Sequence, residues 1–301
     1  MTFKDYLDFF RWKNVLMIVL IQYLFKYFLF RKYNIEVSLD DLHFGLLAFS
    51  SVFVAIAGYI INDLNDVKAD IINKPEKLFI DKKITRDTAH YLFLGFNSIG
   101  LLLGMYLSYY IGHTSYFIIY VLTSLLLYQY AKYLKKMFII GNITVSLIIF
   151  LCILMPAVFD IAPATNGYNI ESQIGIFYVF LIYGGFGFVL TLMREIVKDV
   201  EDIKGDEYIG ARSLPIVLGL KKTKGILFFI GFLLTSGLSY LIFTFFKTEQ
   251  ILAYYTMIMV LIPLIFFFSK LYLSKEKQDF SLLSSVLKTI MLTGMLSILT
   301  L

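Results

Sequence analysis

Charge is scarce in this sequence. Asp, Glu, Lys and Arg make up 16% of its 301 residues, against roughly a quarter in soluble domains. Cysteine is almost absent. Cys152 stands alone in an apolar run, which excludes an intrachain disulfide and a Cys-rich metal site. The three histidines, His43, His90 and His113, are scattered and give no convergent zinc pattern. Proline occurs five times, with no Pro/Ser-rich linker between separate domains. What fills the chain is apolar. Hydrophobic residues reach 59% and the mean hydropathy is +0.77. A soluble globule of this size cannot bury that much apolar surface. The chain reads as a polytopic membrane protein, which excludes soluble enzymes, nucleic-acid readers and secreted disulfide scaffolds.

A bilayer core of about 30 Å needs about 20 apolar residues in a helix. Nine segments qualify: 15–30, 42–61, 89–110, 115–130, 138–159, 174–193, 225–246, 251–271 and 282–301. They are long, rich in Leu, Ile and Phe, and lack the period-two alternation of barrel strands. The expected fold is all-α, with nine transmembrane helices around a central cavity opening near the cytoplasmic face. Residues 1–301 are expected to form one transmembrane domain. The basic residues test the count. With nine spans, 23 of the 27 Lys and Arg fall on the side of the N-terminus, at 62–88, 131–137, 194–224 and around 272–281. The positive-inside rule then puts the N-terminus and those loops in the cytoplasm and the C-terminus on the opposite side. Pro263, in the middle of the eighth span, is expected to kink it.

Two polar stretches interrupt the apolar pattern. The first reads Asn62-Asp63-Leu-Asn-Asp66-Val-Lys-Ala-Asp70. In a helix Asp63, Asp66 and Asp70 share one face, with Asn62 one turn from Asp66. The second reads Arg194-Glu195-Ile-Val-Lys198-Asp199-Val-Glu-Asp202-Ile-Lys-Gly205-Asp206, and repeats the spacing at Asp199, Asp202 and Asp206. Like charges at these intervals repel, so a cation is expected to offset them. Hard carboxylate oxygens suit Mg²⁺, which binds a few carboxylates together with phosphate oxygens. Lys and Arg in the same loops would take up remaining phosphate charge. One such stripe is equally well a solvated helix end. Two stripes of equal spacing on one side of a membrane favour a shared diphosphate site.

These residues resemble the signatures of the UbiA-type family of intramembrane prenyltransferases. Asn62, Asp63, Asp66 and Asp70 are similar to the family's N-D-x-x-D-x-x-x-D. Asn73-Lys74-Pro75-Glu-Lys77 resembles its N-x-P-x-R, with Lys77 in the Arg position. Lys198, Asp199, Asp202, Gly205 and Asp206 resemble K-D-x-x-D-x-x-G-D, and Gly210-Ala-Arg212-Ser213-Leu214-Pro215 its G-x-x-(T/S)-L-P. Tyr130, Lys132, Lys135 and Lys136, with Gly141-Asn142, resemble the Tyr-x-x-x-Leu-Lys segment after the fourth helix. One departure stands out. The family often continues with Pro-Leu-Pro-Ser-Gly where this chain has Leu78-Phe79-Ile80-Asp81-Lys82.

The resemblance implies prenyl transfer from a polyprenyl diphosphate. Asp63, Asp66, Asp70, Asp199, Asp202 and Asp206 would hold Mg²⁺. Asn62, Lys77, Tyr130, Lys132, Lys198 and Arg212 would bind the diphosphate. Asp66, Asp202 and Lys135 would act in catalysis. Ionisation at prenyl C1 would give an allylic cation captured by a small lipid or aromatic acceptor. The Asn73–Lys77 element looks most like the digeranylgeranylglyceryl phosphate synthase branch, with a quinone precursor as the next acceptor. The expected partners are the prenyl donor, the acceptor and the lipid bilayer, with no nucleic acid and no obligatory protein partner. Two other readings stay open: terpene cyclisation on the same fold, and an ion-coupled transporter using the acidic helix ends.

Overall fold

In the computed structural model, residues 2–245 and 247–301 are described, with backbone alone at Lys77 and Phe245. Among them there is no strand, only an isolated bridge between Ile80 and Ile84. A short helix, α1 (Phe3–Phe9), precedes the long ones. Eight helices are long and apolar enough to cross a membrane: α2 (Trp12–Lys32), α3 (Asp41–Asn73), α4 (Arg86–Tyr110), α6 (Ile140–Ala164), α7 (Ile170–Glu201), α9 (Leu214–Thr244), α10 (Gln250–Leu273) and α11 (Lys277–Thr300). Between α4 and α6 lies α5 (Phe117–Lys132), apolar but only 16 residues long. At a rise of about 1.5 Å per residue it is shorter than the bilayer core by itself, and the 3₁₀ turn Thr114–Tyr116 directly before it extends the helical run. The fold class is therefore all-α and membrane-embedded, with eight helices of spanning length where nine spans were expected.

The chain forms two compact units, residues 1–135 with 150–184 and residues 136–149 with 185–301. In the first unit α3 is the central helix. Ile56, Ile60, Ile61 and Val67 bury one face of it with Phe9, Ile80, Phe93 and Ala131. Phe44, Leu47 and Val54 pack with Tyr120 and Phe159. Helix α4 meets α5 closely because Gly104 has no side chain; a Cβ there would lie 2.4 Å from the Tyr120 ring. In the second unit Leu190, Met193 and Val197 of α7 bury against Leu227, Leu264, Phe267, Leu283 and Leu287. The outward faces keep Phe229, Phe232, Tyr240 and Phe243 exposed, as expected of lipid-facing helices.

Several helices are locally irregular, each for a stated reason. Gly219 takes φ 77° and breaks α9 after its first turn, a conformation glycine adopts without steric cost. In α10 a π-helical turn, Met257–Leu261, immediately precedes Pro263, the distortion expected at that proline. In α6 Pro156 has no N–H for the Cys152 carbonyl one turn back. Gln22 of α2 supplies a donor instead, its Nε2 3.4 Å from that oxygen. A second π-helical turn, Ala157–Ile161, follows.

That turn carries Asp160, and a third π-helical turn, Phe25–Leu29, carries Lys26. The two side chains meet in the first unit. Lys26 Nζ lies 2.9 Å from Asp160 Oδ2 and 2.7 Å from the Leu39 carbonyl. Asp160 Oδ1 accepts from the Leu39 N–H at 2.7 Å, and its backbone carbonyl accepts from the Ser38 N–H at 2.9 Å. Their side chains are 8% and 0% exposed. A charge in hydrocarbon is tolerated only when paired and hydrogen-bonded. This network meets both conditions and fastens the segment between α2 and α3 to the end of α6.

Candidate active site

The first acidic stripe lies near the C-terminal end of α3. Asn62, Asp63, Asp66 and Asp70 are all half-buried, whereas Asn65 and Lys68 on the other face are exposed. The helix is continuous through Asn73, so the four residues share a face as their spacing predicts. Asn62 Nδ2 donates to Asp66 Oδ2 at 2.6 Å. Lys135 forms an ion pair with Asp66 and lies 3.4 Å from Asn62 Oδ1. Three of the predicted residues are thus brought together, across 69 residues of chain between Asp66 and Lys135.

Asp63 has a partner that periodicity does not reveal. Arg11, between α1 and α2, forms an ion pair with it through Nη2. Its guanidinium also lies 4.7 Å from the centre of the Tyr59 ring, one turn earlier on α3. Partial burial disfavours the Arg11 charge, and the Asp63 carboxylate more than offsets this, so the guanidinium sits above its ordinary value. Arg11 adopts the left-handed backbone conformation, φ 53°, which is uncommon for a residue with a side chain. The segment after α3 is also docked. Pro75–Lys77 form one 3₁₀ turn, Lys82 donates to the Pro75 carbonyl at 2.7 Å and Phe79 packs on Phe9. The predicted diphosphate contact of the Lys77 side chain lies outside the described residues.

The second stripe differs from its expected form. Helix α7 ends at Glu201, Asp202 has φ −104° and ψ 8°, and a short helix, α8 (Ile203–Tyr208), follows. The single helical face expected over Asp199, Asp202 and Asp206 is therefore bent at Asp202. Gly205 just beyond is buried, and its lack of a side chain lets the turn fold tightly. Asp199 accepts a hydrogen bond from Asn142 Nδ2 at 2.8 Å. Lys198 pairs with Glu195 at 2.7 Å, and Arg194 lies 3.4 Å from the same carboxylate oxygen. Arg212 is exposed, and its backbone N–H donates to the Lys136 carbonyl at 2.9 Å. Of the remaining predicted residues, Lys132 is exposed over the Tyr128 and Tyr133 rings, and Tyr130 is half-buried on α5.

The donor set can be tested for its fit to a metal. The donors at the first stripe are carboxylate and amide oxygens, with no Cys or His among them, so a thiolate or imidazole zinc site is a poor match. Carboxylates with an amide on one half-buried helix face, with Lys and Arg beside them, match a hard ion that draws its other ligands from phosphate and water. That is the habit of Mg²⁺. Arg11 and Asn142 are the partners that sequence reading did not assign. The only signal for Asn142 was its place in the segment after α5, and Arg11 gave none.

The chain was compared with known proteins. The UbiA prenyltransferase family matches residues 31–291. A digeranylgeranylglyceryl phosphate synthase from Methanosphaera stadtmanae is 30% identical over 277 residues, 92% of this chain and 90% of that protein. One from Sulfurisphaera tokodaii is 35% identical over 170 residues, 56% of this chain, and that match spans only 55% of the relative's length. Among solved structures, that of a digeranylgeranylglyceryl phosphate synthase in membranes aligns over 99% of both chains with 28% identity and a TM-score of 0.61. A UbiA homologue from Archaeoglobus fulgidus bound to DMAPP and Mg²⁺ shares the fold at 17% identity, with a TM-score of 0.62 over 99% of this chain and 100% of that one. The match over residues 31–291 takes in both compact units and both acidic motifs, and the chain belongs to the UbiA prenyltransferase family.

Proposed function

We propose that this chain is a Mg²⁺-dependent prenyltransferase that moves a prenyl group from a polyprenyl diphosphate to a prenylated glycerol phosphate. The observation that carries this reading is the first stripe, where an amide and carboxylates on one face meet Lys135 and Arg11. The acceptor follows the relatives, since several similar proteins are digeranylgeranylglyceryl phosphate synthases. An aromatic quinone precursor is the next acceptor to test.

The metal, when bound, would neutralise the diphosphate and stabilise charge developing on it. In the first motif Asn62, Asp63, Asp66 and Asp70, and in the second Asp199, Asp202 and Asp206, are the residues that would supply oxygens to metal, with phosphate and water completing the set. Lys135 stands beside Asp66 and would donate to phosphate oxygens, as would Lys77, Lys198 and Arg212, with Tyr130 and Lys132 as further contacts. In the reaction the bond between prenyl C1 and the diphosphate oxygen breaks, and its electron pair leaves with the diphosphate. The acceptor hydroxyl oxygen then bonds to C1 and loses its proton. Cationic side chains that meet the leaving group stabilise this transition state more than the ground state. A minority of the 52 Phe and Tyr residues would supply apolar π-faces that keep water away from an allylic cation; rings such as Phe229 and Phe243 face outward.

The protein is integral to the membrane. Counting α5 with the 3₁₀ turn Thr114–Tyr116 before it as a ninth crossing, we place the N-terminus and both acidic motifs on the cytoplasmic side, because 23 of the 27 Lys and Arg then fall on that one side. Cysteines introduced at Glu76 and Glu207 should then react with a membrane-impermeant thiol reagent from the cytoplasmic side only, and one at Asn166 from the other side only. Labelling of 76 and 207 from opposite faces would defeat this topology. The activity is tested by incubating purified protein with Mg²⁺, prenyl diphosphates and a panel of glycerol-phosphate and aromatic acceptors, read by mass spectrometry. An ether-linked product is expected and should vanish with chelator. Absence of any prenylated product, together with ion transport in liposomes, would overturn the reading.

A further inference from the structure

Arg11 forms the least local contact in the first stripe that sequence left unassigned, 52 residues from Asp63. Its backbone adopts φ 53° without a glycine, and its side chain makes no capping hydrogen bond to α2. The conformation turns the chain from α1 into α2, with the Arg11 N–H on the Asp8 carbonyl and the Arg11 carbonyl accepting from the Asn14 and Val15 N–H groups. The side chain takes no part in that turn and is placed with its guanidinium against Asp63 and over Tyr59. Both belong to α3, and they stand one turn apart on the face that carries the stripe. The Arg11 side chain is 36% exposed while Asp63 is 17% exposed, so the arginine reaches solvent where the carboxylate is more enclosed. Lys26, by contrast, is locked at 8% against a fully buried partner.

We infer that Arg11 is an exchangeable counter-ion, holding Asp63 while no metal is bound and turning to the diphosphate once a divalent cation takes that carboxylate. The inference rests on the prenyl diphosphate reading above. The chemistry requires an exchange. A carboxylate oxygen engaged by a guanidinium is a weakened metal ligand, and a metal on that oxygen repels the guanidinium. An arginine displaced alone would be left without a partner beside a membrane, which is costly. A diphosphate arriving with the metal removes that cost, because a guanidinium binds phosphate oxygens through two parallel N–H bonds. Lys135 beside Asp66 can make the same exchange with a single ammonium. The site would therefore bind metal poorly alone and well together with the diphosphate, so that metal and donor load as one.

The test reads metal occupancy and needs no turnover. Mn²⁺ binding to the purified full chain is measured by electron paramagnetic resonance, with and without inorganic diphosphate, for wild type, Arg11→Gln, Arg11→Lys and Asp63→Asn. Arg11→Gln should bind Mn²⁺ alone roughly tenfold more tightly, the loss of one charge-assisted competitor. With diphosphate present it should bind roughly tenfold more weakly than wild type. Arg11→Lys should fall between the two in both conditions, and it decides the matter if the Gln variant does not fold. A purely structural Arg11 would shift both affinities in the same direction or neither, and either result overturns the inference. Asp63→Asn separates the two levels. If it leaves Mn²⁺ binding unchanged, the metal reading of the stripe fails. If it weakens binding while Arg11→Gln produces no opposite shifts, the exchange alone fails.

Discussion

The first unit holds three acid–base pairs that look alike on paper and differ in what surrounds them. At one end of it Lys26 meets Asp160, with side chains 8% and 0% exposed and the remaining oxygen taken by the Leu39 N–H. Around the acidic stripe of α3, Lys135 meets Asp66 at 10% and 21% exposure, and Arg11 meets Asp63 at 36% and 17%. A buried pair with its hydrogen bonds closed has nowhere to put a ligand. A pair whose carboxylate is partly exposed, as at Asp66 and Asp63, can exchange one partner for a metal or a phosphate without leaving a charge stranded. Burial, more than charge, separates a staple from a site here.

The largest effects should come from breaking the staple. Asp160→Ala strands Lys26 and the Leu39 amide together, and losing one member of a buried pair costs about 3–5 kcal/mol. A large fall in the thermal midpoint of the purified protein is expected, with turnover per folded molecule close to normal. Replacing both partners, as Lys26→Met with Asp160→Leu, should recover much of the loss, since an apolar pair of similar volume is often neutral. If the single and double variants were equally destabilised, packing rather than charge would explain the site. The complementary change is Asp66→Asn, which keeps shape and removes charge. Turnover should fall at least about a hundredfold, equivalent to roughly 3 kcal/mol of transition-state stabilisation, with the thermal midpoint little changed. Asp63→Asn and Asp202→Asn should behave likewise. Unfolding of these variants to the extent expected for Asp160→Ala would erase the distinction.

What could be read in the sequence is what is periodic or local. The apolar runs located the spanning helices, and the i, i+3, i+7 spacing put Asn62, Asp63, Asp66 and Asp70 on one face because α3 runs unbroken to Asn73. The same spacing misled at Asp202, where a bend in the backbone divides the second stripe. Spacing specifies a face only while the helix continues, and nothing in three aspartates announces a change in ψ. The fourth apolar run formed a helix of 16 residues that begins after a 3₁₀ turn at Thr114–Tyr116. Lys26 lay inside an apolar run, and its partner Asp160 lies 134 residues on. Arg11 with Asp63 and Asn142 with Asp199 are likewise pairings made by tertiary packing. One chain without aligned relatives carries no signal for contacts of that separation.

Asn142 sharpens the comparison by showing a neutral partner. Its amide donates to Asp199 at 2.8 Å, so this carboxylate is oriented by a dipole and can keep that bond when a metal arrives. A hydrogen bond to a charged group contributes about 1.5–3 kcal/mol. Asn142→Ala should therefore lower kcat/KM by roughly tenfold or more, through weaker donor binding at limiting Mg²⁺, and excess Mg²⁺ should restore part of it. An equal loss at saturating Mg²⁺ would mean that Asn142 contacts the reacting groups instead.

The smallest effect belongs to a further pair, Lys83 with Asp5, whose side chains are 42% and 21% exposed. Asp5 of α1 accepts from Lys83 Nζ at 2.6 Å and from the Thr2 N–H at 2.8 Å. The Lys83 bond first, and the Thr2 backbone bond next, lower its carboxyl from 3.8 to about 2. A depressed carboxyl adds stability that is fully present above its unfolded value and is lost as pH falls through its folded one. The docking of α1 should thus hold at neutral pH and loosen only between about pH 4 and pH 2. Trp12, the single tryptophan, stands at the start of α2 just beyond α1, and its fluorescence reports the change. Lys83→Ala should move the transition towards higher pH, and Asp5→Asn should remove that component while leaving turnover at neutral pH nearly untouched, since exposed pairs contribute little. A large loss of activity in Asp5→Asn would show that even this exposed pair is coupled to Arg11, which lies two residues after Phe9, the end of α1 packed on Phe79. The ranking by burial would then fail at its exposed end.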